Sequence, residues 1–232
     1  MLWALTALLL GAVLLWDAGG LDLPLARRAG SAQGFAWRSV PALVLWLHEV
    51  PRALSMALLV LLGIGAVWPW GFLRRLARRE RVQLVLSILA AIAVSTLVKR
   101  LSNTSCPWDL AEFGGVARYV SHWNWGVQDG GPGHCFPAGH ASAAFGSVAG
   151  WFVLRRAAPN LATGWLLAAL AGGLVLGLAQ QLRGAHYLSH TLWTAWICWT
   201  VGLVVESSSA ALASPLRRHW CMARRADPTA PS

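Results

Sequence analysis

Six apolar stretches alternate with polar connections along this chain, at residues 2–16, 53–70, 82–98, 141–154, 161–179 and 187–205. Each is too long for a strand, and a bilayer core takes about 20 helical residues to cross. The pattern predicts six transmembrane helices, the first and fourth of which need their flanking residues to reach across. Residues 2–16 have no basic segment before them and no clear cleavage site before Asp17, so they read as a retained helix, not a signal peptide. Two connections are long. Residues 17–52 are predicted to hold an interfacial helix, with Trp37, Trp46 and His48 suited to the headgroup zone. Residues 99–136 form the other. From residue 207 the chain reads as a loose tail ending in Asp227-Pro-Thr-Ala-Pro-Ser232. The organisation is therefore one membrane domain over 1–206 and a tail over 207–232, an all-α integral membrane protein.

Composition supports this reading. Of 232 residues, 56% are hydrophobic and only 12% charged, too few charges to cover a soluble surface and too apolar a chain for disorder. The net charge of +10 does not imply nucleic acid, because the arginines stand in short clusters between apolar runs. All but one of the 19 basic residues are Arg, a bias that fits a GC-rich bacterial genome. The single Lys, Lys99, therefore needs a reason.

Connections on one side hold Arg74, Arg75, Arg78, Arg79, Arg81, Arg155, Arg156, Arg217, Arg218, Arg224 and Arg225. The other side holds Arg27, Arg28, Arg38, Arg52, Lys99, Arg100, Arg118 and Arg183 over longer loops. The positive-inside rule predicts cytoplasmic termini.

Three polar segments then share the outer face. Lys99-Arg100-Leu-Ser-Asn-Thr-Ser-Cys106-Pro107-Trp108-Asp109 leaves the third stretch. Cys135-Phe136-Pro137-Ala138-Gly139-His140 enters the fourth. Gln180-Gln181-Leu182-Arg183-Gly184-Ala185-His186-Tyr187-Leu188-Ser189-His190 joins the fifth to the sixth. Taken singly, Lys99 and Arg100 are ordinary snorkelling anchors, and His186 and His190 are ordinary interfacial histidines. Taken together they point to phosphate chemistry. Lys99 and Arg183 are cationic donors for a phosphate, and Gly139 lets backbone N–H groups at a helix start approach it. Two histidines on opposed helices suit in-line displacement, one attacking phosphorus and one protonating the leaving oxygen. Such a step needs no metal or other cofactor.

The three segments resemble the signature motifs of the type 2 phosphatidic acid phosphatase superfamily. Its motifs are Lys, six residues, Arg-Pro; then Pro-Ser-Gly-His; then Ser-Arg, five residues, His, three residues, Asp. Lys99, six residues and Cys106-Pro107 keep the first spacing, Pro137-Ala138-Gly139-His140 the second, and His186 with His190 the third. The resemblance implies that His186 is the nucleophile and forms a phosphohistidine. It implies that His140 is the general acid, and that Lys99 and the backbone around Ala138–Ala141, with Gly139 among them, bind phosphate.

This sequence departs from the pattern at four places. Cys106 replaces the first-motif Arg, Ala138 the second-motif Ser, and Ala179-Gln180 the third-motif Ser-Arg. His190 replaces the Asp that orients the nucleophile. Arg183, nearly one turn after Gln180, is the expected substitute for one arginine, and Arg100 or Arg118 for the other. His190 can orient His186 without supplying negative charge, which leaves Asp109, Glu112 or Asp129 as sources of it. The chain reads as a divergent branch.

Cys106 and Cys135 each stand beside a motif proline on the oxidising face, so a disulfide would tie the first motif to the second; two free thiols are the alternative. Cys198 and Cys221 read as free. The function expected is a lipid phosphatase of the bacterial inner membrane, with its site facing the periplasm. Its expected substrate is a phospholipid, lipid A, or a polyprenyl phosphate or diphosphate in the bilayer. A lipid phosphotransferase would use the same intermediate. Readings from other classes are a haem- or quinone-handling protein, from Trp123-Asn124-Trp125-Gly126 with His122 and His134, and an anion transporter lined by Lys99 and Arg183.

Overall fold

The computed structural model describes residues 1–226, with side chains up to residue 212. The chain is mostly helical. The helices are α1 (Leu2–Ala18), α2 (Asp22–Ala26), α3 (residues 41–67), α4 (Arg78–Leu101), α5 (Gly139–Phe145), α6 (Ala149–Leu154), α7 (Pro159–Leu182) and α8 (Leu188–Ala226). A two-residue antiparallel pair, β1 (Gly30–Ser31) and β2 (Gly34–Phe35), is the sheet among the described residues.

Four helical stretches are long and apolar enough to cross a membrane: Pro41–Arg75, Arg78–Leu101, Pro159–Leu182 and Leu188–Leu212. The other two apolar stretches differ in kind. α1 is apolar apart from Thr6 and Asp17 but only 17 residues long. It lies along α8, with Trp196 Nε1 donating to the Thr6 carbonyl at 3.1 Å and Trp199 Nε1 to the Thr6 hydroxyl at 2.9 Å. The fourth stretch is a helix interrupted by a 3₁₀ turn, Gly146–Val148, between α5 and α6. Together these pieces make about 24 Å of helix at about 1.5 Å per residue, less than a bilayer core. They are buried along most of their length, Phe145, Val148, Ala149 and Leu154 at 1% exposure or less. This piece is the centre of the bundle, held between α7 and α8. Missing side chains let the helices close around it. A Cβ on Gly173 would meet the Phe145 ring at 2.3 Å, and one on Gly177 would meet Thr191 at 2.2 Å.

Two parts of the chain differ from the expectation. Residues 17–52 contain no separate interfacial helix carrying Trp46 and His48. Both residues belong to α3, which begins at Pro41 and continues into the second apolar stretch. Pro51 reads as a helix break, but a π turn at Leu45–Glu49 absorbs it. The Val50 N–H donates to Leu45 O, one residue further back than in an α-helix. The Leu47 carbonyl, which an N–H at residue 51 would have occupied, instead accepts from Gln180 Nε2 at 3.4 Å. In addition, α8 runs on to Ala226 through much of the segment read as a loose tail, as its Ala, Leu and Arg content favours. The last six residues, and the side chain of Cys221, lie outside what is described.

The connection 102–138 has little regular structure and is pinned by polar contacts. Asp129 accepts from the Ser105 N–H at 2.6 Å, the Ser105 hydroxyl at 2.8 Å and the Gly131 N–H at 2.9 Å. Asp17 and Asp22 tie α1 and α2 to this connection and to α8. Asp17 Oδ2 lies 3.2 Å from His122 Nε2 and accepts from the indoles of Trp123 at 3.0 Å and Trp193 at 2.8 Å. Asp22 accepts from Trp16 Nε1 at 2.9 Å and from both the N–H and hydroxyl of Ser189. At the far end of the bundle Glu206 meets Gln83 at 2.8 Å, Arg155 at 3.3 Å and Arg156 at 3.4 Å. The arginine clusters and the three polar segments thus occupy opposite ends.

Candidate active site

Lys99 stands on the last turn of α4, and its stem runs beside Gly139. A Cβ on Gly139 would lie 3.6 Å from Lys99 Cδ and 3.8 Å from Cε, at ordinary contact distance, so the first turn of α5 packs directly against the lysine stem. Ala138 is fully buried and sets this approach. Its N–H donates to the His190 carbonyl at 3.2 Å, and its carbonyl accepts from the Thr194 hydroxyl at 3.1 Å. The Ala138 N–H is therefore occupied, contrary to the expectation that it binds phosphate. The backbone from Gly139 onward is what faces Lys99.

His140 follows on the first turn of α5. Its ring packs against that of His48, centroids 3.9 Å apart. His48 Nδ1 lies 2.8 Å from Glu49 Oε1. The π turn of α3 presents His48 here, and Arg52, four residues on, shares its face. Sequence reasoning missed both residues, since it placed His48 in a separate headgroup-zone helix and left Arg52 outside the second span.

His186 lies in the turn from α7 to α8 and is 4% exposed. Burial holds its pKa well below the usual imidazole range, and the nearby Lys99 and His140 act in the same direction. The ring is therefore neutral at ordinary pH. Its Nδ1 lies 3.5 Å from Cys135 Sγ. Cys135 is joined to Cys106 in a disulfide. Among the described residues, no carboxylate bears on His186: Asp109 accepts from the Cys106 N–H at 3.3 Å, Asp129 holds residues 105–131, and Glu112 pairs with Arg27 at 2.5 Å. The three acids considered as its orienting partner all serve elsewhere.

His190 is fully buried, its ring centroid 5.8 Å from that of His186. Phe136 and Tyr187 surround it at 5.2 Å each, and neither of its ring nitrogens has a hydrogen-bond partner among the described residues. It stands beside the candidate nucleophile without bonding to it.

Arg183 is drawn in, but its donors are largely spent. Nε and Nη2 donate to the Arg38 carbonyl at 3.2 and 3.0 Å, and Nη1 to Gln180 Oε1 at 3.1 Å. Its charge still bears on His140. Arg100 is exposed and lines neither cavity described next, and Arg118 donates to the Gln128 carbonyl in the outer connection at 3.3 Å. Neither lines the cavities beside Lys99 and His140.

Two cavities open on this centre. One, about 210 Å³, runs between α3 and α4, with Arg52, Lys99 and Gly139 at its polar end and Met56, Leu58, Ile88 and Ile92 along it. The other, about 160 Å³, is lined by His48, Arg52, Gly139 and His140. A cavity of about 270 Å³ at the arginine-rich end, beside Gln83, Arg156 and Glu206, holds none of the motif residues.

Among the described residues, Asp17, Asp22 and His122 present donor atoms within 4.8 Å of one another, as a metal would need. Asp22 and Asp17 Oδ2 already serve indole, hydroxyl and backbone donors, while Asp17 Oδ1 is buried without a partner among the described residues. In the Trp-rich segment, Trp123 donates to Asp17 and His122 stacks on Phe136 at 4.2 Å.

Among known sequences, the family model of the PAP2 superfamily matches residues 80–211, more than half the chain and all three polar segments. No curated protein matches the chain. No solved structure does either.

Proposed function

The chain belongs to the PAP2 superfamily, and from that premise we propose that it hydrolyses a phosphate ester or diphosphate on a membrane lipid. The family is one of phosphatases and phosphotransferases. The observation that carries the lipid reading is the cavity between α3 and α4. It holds Lys99 and Gly139 at one end and apolar side chains along its length, the outline of a phosphate with a tail.

In this reading Lys99, the backbone from Gly139 and the spare N–H groups of Arg183 hold the phosphoryl oxygens. Neutral His186 attacks phosphorus through Nε2. The bond from phosphorus to the leaving oxygen breaks, its electron pair goes to that oxygen, and His140, whose pKa burial and the surrounding cations lower to about 4 and a bound phosphate anion raises, supplies the proton. Water then attacks the phosphohistidine, His140 takes its proton, and phosphate leaves. Two imidazoles and fixed cations perform each step, so the reaction as written uses no metal. His190 occupies the place of the family's orienting Asp. The site faces the outer side of a bacterial cytoplasmic membrane, because the arginine clusters lie at the opposite end.

The test is phosphate release by purified protein from a panel of lipid phosphates, alongside His186→Ala. Release by the wild type and none by the variant supports the reading. No release from any lipid overturns it.

A further inference from the structure

Arg52 and His48 have no task in the reaction above, yet they line the same cavity as His140. The transferred phosphoryl already has Lys99, the α5 backbone and Arg183. Arg52 adds a third fixed cation, on the side of the acid and away from His186. No hydrogen bond or ion pair occupies its guanidinium among the described residues, whereas Arg183 has committed three nitrogens to the protein. His48 touches the acid itself, and its Nδ1 lies 2.8 Å from Glu49 Oε1. A neutral alcohol leaving from His140 needs none of this. An anionic leaving group does.

We propose that His48 and Arg52 form a subsite for a second phosphate, so that the preferred substrate is a lipid diphosphate. This rests on the reaction proposed above and names its substrate class. The terminal phosphate lies against Lys99 and His186, and the inner phosphate lies in the cavity of about 160 Å³ beside His140. The lipid tail follows the apolar cavity between α3 and α4, which shares Arg52 and Gly139 with the first. His186 Nε2 bonds to the terminal phosphorus, and the bond from that phosphorus to the bridging oxygen breaks. The electron pair stays on the bridging oxygen, His140 donates a proton to it, and a lipid monophosphate departs. Arg52 neutralises charge that grows on that product as the bond breaks, which makes the contact stronger in the transition state than before it.

Binding tests this without turnover. Purified wild-type and Arg52→Ala proteins in detergent are titrated with two inert lipids of the same tail, one with a methylenebisphosphonate head and one with a monophosphonate head. Arg52 is on an exposed helix face, so the variant should fold, and an unchanged melting temperature checks this. The wild type should bind the bisphosphonate at least about tenfold more tightly than the monophosphonate, and Arg52→Ala should erase that preference. His48→Ala should reduce it, and Arg52→Lys should restore part of it. Equal wild-type affinities would overturn the proposal, as would a preference that survives Arg52→Ala. Failure of phosphate release with the binding preference intact would instead count against the catalytic reading alone.

Discussion

Nε2 of Gln180 donates to the carbonyl of Leu47, 3.4 Å away, across the gap between α7 and α3. That carbonyl is free because Pro51 has no N–H to offer it. The same Gln180 side chain accepts from Arg183 through its oxygen. One buried amide therefore holds both the π turn that presents His48 and the guanidinium nearest the third motif. Gln180→Ala should leave two buried polar groups unpaired and cost about 1–3 kcal/mol. Gln180→Glu should restore the Arg183 contact but not the donor to Leu47. Melting temperatures of the three proteins would check the order wild type, Glu, Ala.

His140→Ala should slow turnover by about 10²–10⁴, the usual loss for a positioned acid. The loss should shrink for an aryl phosphate whose leaving oxygen needs no proton. Comparing a lipid phosphate with an aryl phosphate on the same variant measures this directly. Equal losses on both would show that His140 binds phosphate and does not protonate.

The sulfur beside His186 makes the disulfide more than a staple. Closing a loop of about 30 residues is worth roughly 3 kcal/mol on a chain-entropy estimate, so both Cys106→Ala and the Cys106→Ala/Cys135→Ala pair should melt lower. They should differ in chemistry. The single variant keeps a sulfur next to His186 Nδ1 as an acceptor, and the double variant does not. The double variant should show the lower kcat at similar KM. Identical kinetics in the two would mean that the bond acts through folding alone.

Burial of neutral His186 also sets a pH dependence. Its folded pKa lies well below the usual imidazole value of about 6.5, so below that pH the unfolded chain binds a proton that the folded chain refuses. Stability from this group is complete above the unfolded value and is lost as pH falls toward the folded one. Between pH 8 and pH 5 the melting temperature of the wild type should fall further than that of His186→Gln. The same shift keeps the nucleophile unprotonated, so an acid limb in kcat/KM near pH 6.5 should belong to a group other than His186.

Much of the site was legible because the motifs sit at helix ends, where spacing and side are both readable. Lys99, Gly139, His140 and His186 do come to one place. What was not legible depends on three-dimensional detours. Pro51 looks like a helix stop, and only the π turn shows that the helix passes through it, carrying His48 and Arg52 into the site. Arg100 is adjacent to Lys99 in sequence, but about 100° of helical rotation separates neighbours, so it faces outward. The 141–154 stretch looks like a short span because hydropathy does not distinguish lipid from a protein interior. Asp17 and Asp22 attracted no notice because their partners, Trp16, Trp123, Trp193 and Ser189, are mostly far away in sequence.

The central claim is that His186 carries the phosphoryl group. The most direct measurement is rapid quench of the purified protein turning over a lipid labelled in its terminal phosphate, followed by alkaline digestion-compatible mapping of the labelled peptide. The account predicts an acid-labile, alkali-stable label on the peptide containing His186, absent from His186→Ala and persisting longer in His140→Ala. Turnover at the wild-type rate in His186→Ala, with no phosphoenzyme trapped from the native protein, would contradict it.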